Sequence, residues 1–447
     1  MASKQNKEEI LENLIQAARK AGADAADALL VESVSAGVSY RLGKLEDVER
    51  AESRDMGLRV FVGARVAFVS STDLSKDRLA ELPERAVAMA RLAPEDKYAG
   101  LASRELLARD WPSLDLEDPG EPSTEELIER AESVEAAAMA VKGITNSEGG
   151  GASFGRSAIA LATSEGFRGG YAATSHGIGV AVLAGEGTGM ERDYAQTSAR
   201  HASDMETADA VGKRAGERTV KRLNPRQAKS QRAPVVYDPR VSASLVGSFA
   251  GAISGASIAR GVSFLKDRMG QQVFASSINI IDDPHRVRGL RSKPFDGEGV
   301  ANREMALIEN GMLTAWLLDT ASAKQLGLVT NGHAARGTGG PPSPSTTNLY
   351  MAPGTLTPEE LMADIKDGFY VTETMGFGVN GVTGDYSQGA AGFWIENGKI
   401  AYPVSGVTIA SNLKDMFLNL TPANDLEFRH GVNAPTIRVE GMTIAGS

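Results

Sequence analysis

The sequence contains no cysteine. Disulfides, thiolate metal ligands and cysteine nucleophiles are therefore excluded. Histidine is scarce, with only His176, His201, His285, His333 and His430. No two of these lie close enough to form a His-Glu-x-x-His or His-Glu-x-x-x-His pair on one helix. Basic charge is also short, with 47 Lys and Arg against 57 Asp and Glu and a net charge of -10. A phosphate backbone calls for a basic stripe, so no nucleic-acid partner is expected. No apolar run reaches the ~18 residues that would suggest a membrane span. Met1 to Glu9 carries charge without the apolar core of a secretory signal. The expectation is a soluble, cytoplasmic chain with no membrane partner. Walker A and dinucleotide fingerprints are absent as well.

What is present is ordinary globular composition over 447 residues, 42% apolar and 23% charged. That length points to two or three domains. Residues 7–21 carry Ile10, Leu11, Leu14, Ile15 and Ala18 at helical spacing, and Gly22 is a stop signal. Residues 28–71 then alternate in short runs that Gly37, Gly43 and Gly63 divide, as in an antiparallel meander. Ser75 opens a second helix to Leu92 with Leu79, Leu82, Ala86 and Met89 on one face. Residues 95–122 form a proline-containing connection between a first segment, 1–94, and a second, 123–225. Ser123-Thr124-Glu125-Glu126 is a capping box for the next helix. About four strand-like runs follow, then a helix over 205–223. The first two segments thus share the order helix, meander, helix, which suggests duplication.

Residues 226–233 read as a polar linker and 234–447 as a β-rich last domain. It opens with the strand Pro234–Tyr237 and a helix predicted over 239–260. Two phrases, Ala306–Trp316 and Phe393–Tyr402, each place Asn-Gly between alternating residues, the signal of a type I′ hairpin. Thr357, Pro358 and Glu360 start a helix predicted over 358–367, with Gly368 as its stop. The fold class is α+β: two helix–antiparallel-meander–helix segments, then a mostly antiparallel β domain with a few helices.

Few motifs carry chemistry. Asp282-Asp283-Pro284-His285 is rich in potential ligands but reads first as a turn. Glu427 and His430 are spaced as in a carboxylate bundle, yet one copy makes only a solvated pair. Gly151-x-Ser153-x-Gly155 matches a nucleophile elbow without the strand-to-helix turn an elbow requires. Ser263-x-x-Lys266 and Ser411-x-x-Lys414 lack their companion motifs. The Gly337–Pro342 stretch has too few donors for a phosphate cradle, because two prolines remove them.

The C-terminal third carries a resemblance. Tyr402-Pro403-Val404-Ser405-Gly406-Val407 through Asn412-Leu413-Lys414-Asp415 resembles the TldE branch of the TldD/PmbA family. Ile395-Glu396-Asn397-Gly398-Lys399-Ile400, Ser345–Tyr350, Thr383–Ser387 and Met56–Phe61 are similar to the family at large. The resemblance spans nearly the whole chain. It implies a dimeric metallopeptidase in which TldD-type chains hold a metal through His-Glu-x-x-x-His and a later Cys. In this chain the matching positions are Gly247, Ser248 and Ala252, and the Cys is missing. The implied role is a partner subunit, with no catalytic residue, no metal and no cofactor of its own. Zinc is then expected in a TldD-type partner and an unstructured peptide as substrate. Asn348, Asn380, Thr383, Asp385 and Ser387 become candidates for the substrate channel. A non-enzymatic homodimer that binds peptides or regulates, in line with the family's gyrase-modulator label, is the alternative.

Overall fold

A computed structural model describes residues 4–376 and 378–446. Helix α1 (Lys4–Lys20) buries Leu11, Leu14, Ile15 and Ala18, and Gly22 follows at φ +104°. Strands β1 (Ala25–Arg41), β2 (Lys44–Val62) and β3 (Arg65–Ser71) lead to α2 (Lys76–Leu92). The second segment repeats this order as α3 (Thr124–Met139), β4 (Ile144–Thr163), β5 (Arg168–Ala184), β6 (Glu191–Ala199) and α4 (Ala208–Lys221). The capping box at Ser123 and Glu126 is formed.

Each meander has three long strands, not about four short ones. Gly37, Gly149–Gly151 and Gly169–Gly170 lie inside strands. At Gly150 and Gly170 the reason is close packing. A Cβ on Gly150 would stand 2.4 Å from Ala131 O on α3, and one on Gly170 would stand 2.7 Å from Ile159 O. Strand glycine often marks such an approach, not a turn. On α2 the buried face is Leu82, Pro83, Ala86, Val87 and Ala90, while the expected Met89 is exposed.

The two meanders make one antiparallel sheet in the order β3-β2-β1-β4-β5-β6. Strands β1 and β4 pair at its centre, Leu30 opposite Ala160, so the halves repeat about that seam. Side chains alternate across a strand. Ala26, Ala28, Leu30 and Val38 of β1 accordingly face the helices. Leu29 faces the other way and, with Leu161 of β4, joins Phe167, Phe295 and Val300 in a separate cluster. The connection 95–122 is a fixed strap across this second face. Ala108 N–H donates to Gly299 O (2.9 Å), Arg288 N–H to Leu114 O (2.8 Å) and Thr174 N–H to Leu116 O (2.9 Å).

The third segment begins with β7 (Gln231–Tyr237), α5 (Pro239–Ala252) and α6 (Gly255–Ala259). Next come β8 (Ile280–Asp283), β9 (Met305–Glu309), β10 (Met312–Leu313), α7 (Thr320–Leu326), β11 (Ala334–Ala335), β12 (Ser343–Pro344) and β13 (Asn348–Met351). It ends with α8 (Pro358–Met362), β14 (Asp367–Met375), β15 (Asp385–Glu396), β16 (Lys399–Asn412), α9 (Leu413–Leu418), β17 (Leu420–Pro422), β18 (Val432–Asn433) and β19 (Ile437–Ala445). One sheet runs β16-β15-β14-β7-β19-β17, and a further β16–β19 pairing closes five of these strands on themselves. Only β7–β14 is parallel within it. The other large sheet runs β10-β9-β8-β13-β18. Helix α5 buries Leu245, Val246 and Phe249, whose ring meets Phe274 edge-on at 5.2 Å. The result is an α+β chain ending in a mostly antiparallel β domain, as the pattern implied.

Three local expectations change. Strand β7 begins at Gln231, inside the expected linker. The helix predicted over 239–260 breaks after Ala252, because Leu317 and Ile253–Gly255 pair through their backbones and a Cβ on Gly255 would lie 2.8 Å from Leu317 O. The helix predicted over 358–367 stops at Met362, and Gly368 belongs to β14. Among the described residues no helix is long and apolar enough to cross a membrane.

Candidate functional site

Helix α5 carries Gly247, Ser248 and Ala252, the positions that the resemblance sets against the family's metal motif. Its start is well defined: Asp238 accepts the Arg240 N–H (3.0 Å) and Pro239 occupies the first turn. The apolar stripe faces the core, so Ser244, Gly247, Ser248 and Gly251 are turned outward. A Cβ on Gly247 would meet nothing within 4 Å. Ser248 Oγ donates back to Ser244 O (2.9 Å), and Ala252 is buried. These positions supply no carboxylate, imidazole or thiolate, so they do not fit a zinc ion. Among the described residues no group of three or more His, Asp or Glu could hold a metal.

The end of α5 is tied to a polar loop. Ser263 Oγ donates to Ala252 O (2.5 Å), and the next residue, Phe264, donates its N–H to Gly381 O (3.0 Å). Four of the five channel candidates lie there, Asn380 and Thr383 on the loop and Asp385 and Ser387 at the start of β15, and all four are exposed. Asn380 Oδ1 accepts the N–H groups of Val382 (2.9 Å) and Thr383 (3.2 Å). Asp385 accepts from Thr383 Oγ1 (2.6 Å) and Asn412 Nδ2 (3.0 Å), which hold its carboxyl below the usual carboxylate range. The loop is therefore a self-bonded turn with an ionised Asp385 at its surface.

Asn348 is not part of this group. It is buried on β13, where Oδ1 accepts Arg291 N–H (2.9 Å) and Nδ2 donates to Asp283 O and Ser292 Oγ (both 2.7 Å). Its amide is spent on holding the 283–292 turn. The Asp-Asp-Pro-His segment is that turn: Asp283 accepts His285 N–H (2.9 Å), and buried Asp282 accepts the N–H (2.7 Å) and hydroxyl (2.6 Å) of Thr347. Glu427 pairs with Arg429 (2.5 Å), not with His430. Ser153 sits in mid-β4, opposite Gly37 and Gly177, with no elbow turn.

Two features escaped the sequence reading. The first is a buried ionic cluster joining the sheet to the third segment. Asp27 pairs with Arg59 (Nε 2.9 Å) and Arg336 (Nη1 2.7 Å), and Arg59 reaches Glu298 at 3.6 Å. Asp296 nearby accepts three backbone N–H groups, yet burial and the Glu298 charge raise its pKa to about 7. The second is a cleft of about 460 Å³ between the sheet and the 291–293 and 345–346 loops, floored by Ser33, Ser35, Gly155, Ser157 and Ser175. Its signal was present as alternation: Ser33, Ser35, Gly37 and Ser39 on one strand, Gly151, Ser153, Gly155 and Ser157 on the next.

Comparison with known proteins follows the same three segments. Residues 26–90, 117–223 and 230–446 match the PmbA/TldA metallopeptidase domain 1, central domain and C-terminal domain. The chain is 41% identical to the metalloprotease PmbA of Escherichia coli O157:H7 over 425 residues, covering 95% of this chain and 92% of that one. It is 35% identical to a PmbA homologue of Haemophilus influenzae, covering 97% and 94%. A Bacteroides thetaiotaomicron protein described as a candidate modulator of DNA gyrase superposes with TM-score 0.92 at 25% identity over all of both chains. TldE from Thermococcus kodakarensis shares the fold, with TM-score 0.85 at 20% identity over 98% of this chain and 100% of that one. The chain belongs to the PmbA/TldD metallopeptidase family, on its PmbA branch.

Proposed function

We propose that this chain is the PmbA/TldE-type subunit of a cytoplasmic heterodimeric metallopeptidase that degrades or processes unstructured peptides. The single observation that carries the reading is the chemistry of α5: Gly247 and Ser248 on its outward side and the buried Ala252, which the family resemblance sets against His, Glu and His, offer no metal ligand and no base. Hydrolysis of a peptide bond by this route needs a metal with an open position and a base beside it. A TldD-type partner would hold the zinc and the base. This chain would shape the chamber and order the partner, with the Asn380–Ser387 loop near the end of α5 as its contribution to the substrate path.

The test uses the purified full-length chain, alone and mixed with a TldD-type chain, on an unstructured peptide. Cleavage is expected only in the mixture, and a chelator abolishes it. Chelator-sensitive cleavage by this chain alone, free of a co-purified partner, overturns the division of labour.

A further inference from the structure

The cleft beneath the 291–293 loop has one-sided chemistry. Its floor is the outward face of β1, β4 and β5, where Ser33, Ser35, Ser157 and Ser175 surround Gly155. A Cβ on Gly155 would lie 3.0 Å from Ser175 Oγ, so glycine keeps the floor open. Its rim carries Arg156, Arg200, Arg291 and Lys293, and no Asp or Glu lines it. Two of these cations are committed. Arg156 pairs with Glu117 (2.6 Å), and Arg200 donates to the carbonyls of Thr174, Gly289 and Leu290.

The other two are not. Arg291 makes one long contact, 3.5 Å to Thr346 Oγ1. The Lys293 ammonium has neither a hydrogen bond nor an ion pair within 4 Å among the described residues. Burial pulls its pKa below the ordinary lysine range, although the charges of Asp296 and Asp282 oppose this. Lys293 is half-buried and its ammonium faces the cleft without a protein partner, so an anion beside it would offset the cost of its partial burial. The cleft is within the usual size range of ligand sites, and a lone oxyanion the size of a few waters would leave most of it empty.

We propose that this cleft binds a carboxylate of an extended peptide, with Lys293 and Arg291 as the charge partners and the serine floor as a neutral hydrogen-bonding bed. The choice of a peptide rests on the function proposed above. The carboxylate belongs to the peptide's C-terminus or to an acidic side chain.

The experiment titrates the purified full-length chain by calorimetry with acetyl-tetraalanine acid, its C-terminal amide, and an amide of equal length carrying one internal glutamate. No partner and no cleavage are needed, so failure of the peptidase reading leaves this test intact. Expected is binding of at least one carboxylate peptide about tenfold or more tighter than the neutral amide, the scale of one charge-assisted bond. Which of the two binds identifies the source. Lys293→Met should erase the preference. Arg291→Gln, at an exposed position, should reduce it and guards against misfolding of the first variant. Equal affinity for all three peptides, no binding by any, or a preference that survives in both variants overturns the proposal. So does displacement by inorganic phosphate at lower concentration than either carboxylate peptide, which would assign the cleft to phosphate.

Discussion

Replacing Asp27 with alanine leaves two buried guanidinium groups, Arg59 with only Glu298 at 3.6 Å and Arg336 with no ion-pair partner among the described residues. Asp27 is fully buried, and Arg59 and Arg336 are nearly so. At an effective dielectric constant near 20, unit charges separated by the 2.7 Å of the Arg336–Asp27 contact attract by roughly 6 kcal/mol before desolvation is counted. Removing one member of such a set typically costs about 3–5 kcal/mol, mostly because the remaining charges stay buried without compensation. Asp27→Ala should therefore lower unfolding stability by that amount in urea titrations. The double variant with Arg336→Ala should lose less than the sum of the singles, by about 0.5–3 kcal/mol. A local readout is available too. Asp27 and Arg59 lie on the sheet, Glu298 and Arg336 on the third segment, and the strap 95–122 is held between them. Limited proteolysis within the strap should accelerate in Asp27→Ala. A cost under about 1 kcal/mol together with additive singles would refute the reasoning.

Asp296 gives a pH test of opposite sign to most carboxyls. Its folded pKa of about 7 lies above the ordinary value, so its contribution to stability is fully present at acidic pH, below the unfolded pKa, and is lost as pH rises through 7. Wild-type stability should fall from about pH 4 to about pH 7 through this group and level off above that, and Asp296→Asn should flatten that slope; identical slopes would sink the assignment. Gly311→Val and Gly398→Val each force a β-branched residue to φ near +78° and a Cβ to within 2.5–2.6 Å of a carbonyl oxygen, of Phe274 and of Ala363 respectively. A loss of at least about 1–3 kcal/mol is expected for each, read as a lower melting temperature. Gly57→Val should also destabilise, because its Cβ would stand 2.3 Å from Thr338 O, where the 337–342 loop crosses β2; an unchanged melting temperature would show that this loop yields freely. Ser153→Ala should leave cleavage by the partnered complex intact, since Ser153 is a mid-strand residue.

Local signals were legible where the chain itself closes the interaction. The capping boxes at Ser123 and Thr357 each satisfy two backbone donors within four residues, so their sequence spelling suffices. The Asn-Gly turns need only φ > 0 at two positions, and Asn310-Gly311 and Asn397-Gly398 adopt it. Glycine misled where a distant element decided its role. Gly43 and Gly63 do turn the chain, at φ +77° and +58°, but Gly37, expected to divide a strand, lies inside β1, and Gly150 within β4 makes room for α3. Nothing within either neighbourhood of sequence separates the two uses. The break after Ala252 belongs to the same class, since its cause is Leu317.

The site divides along the same line. The turn at Asn380, Thr383 and Asp385 was legible as a turn because its bonds are local; Asn348 was grouped with it as a loop residue of the same domain, and long-range pairing of β13 with β8 buries it elsewhere. The apparent elbow at Gly151-x-Ser153-x-Gly155 shows how a correct pattern acquires a wrong meaning. Its period of two is the pleat of β4, so the glycines and serine share one face with Ser157, Ser33 and Ser35. Small residues there do not build a nucleophile. They keep a sheet face low, and the third segment then brings Arg291 and Lys293 over it from more than 130 residues away in sequence. Charge that arrives from such a distance leaves no motif on the strands it covers. The alternation of serine and glycine is the part of that cleft a sequence can display, and it marks the floor of a space, not a catalyst.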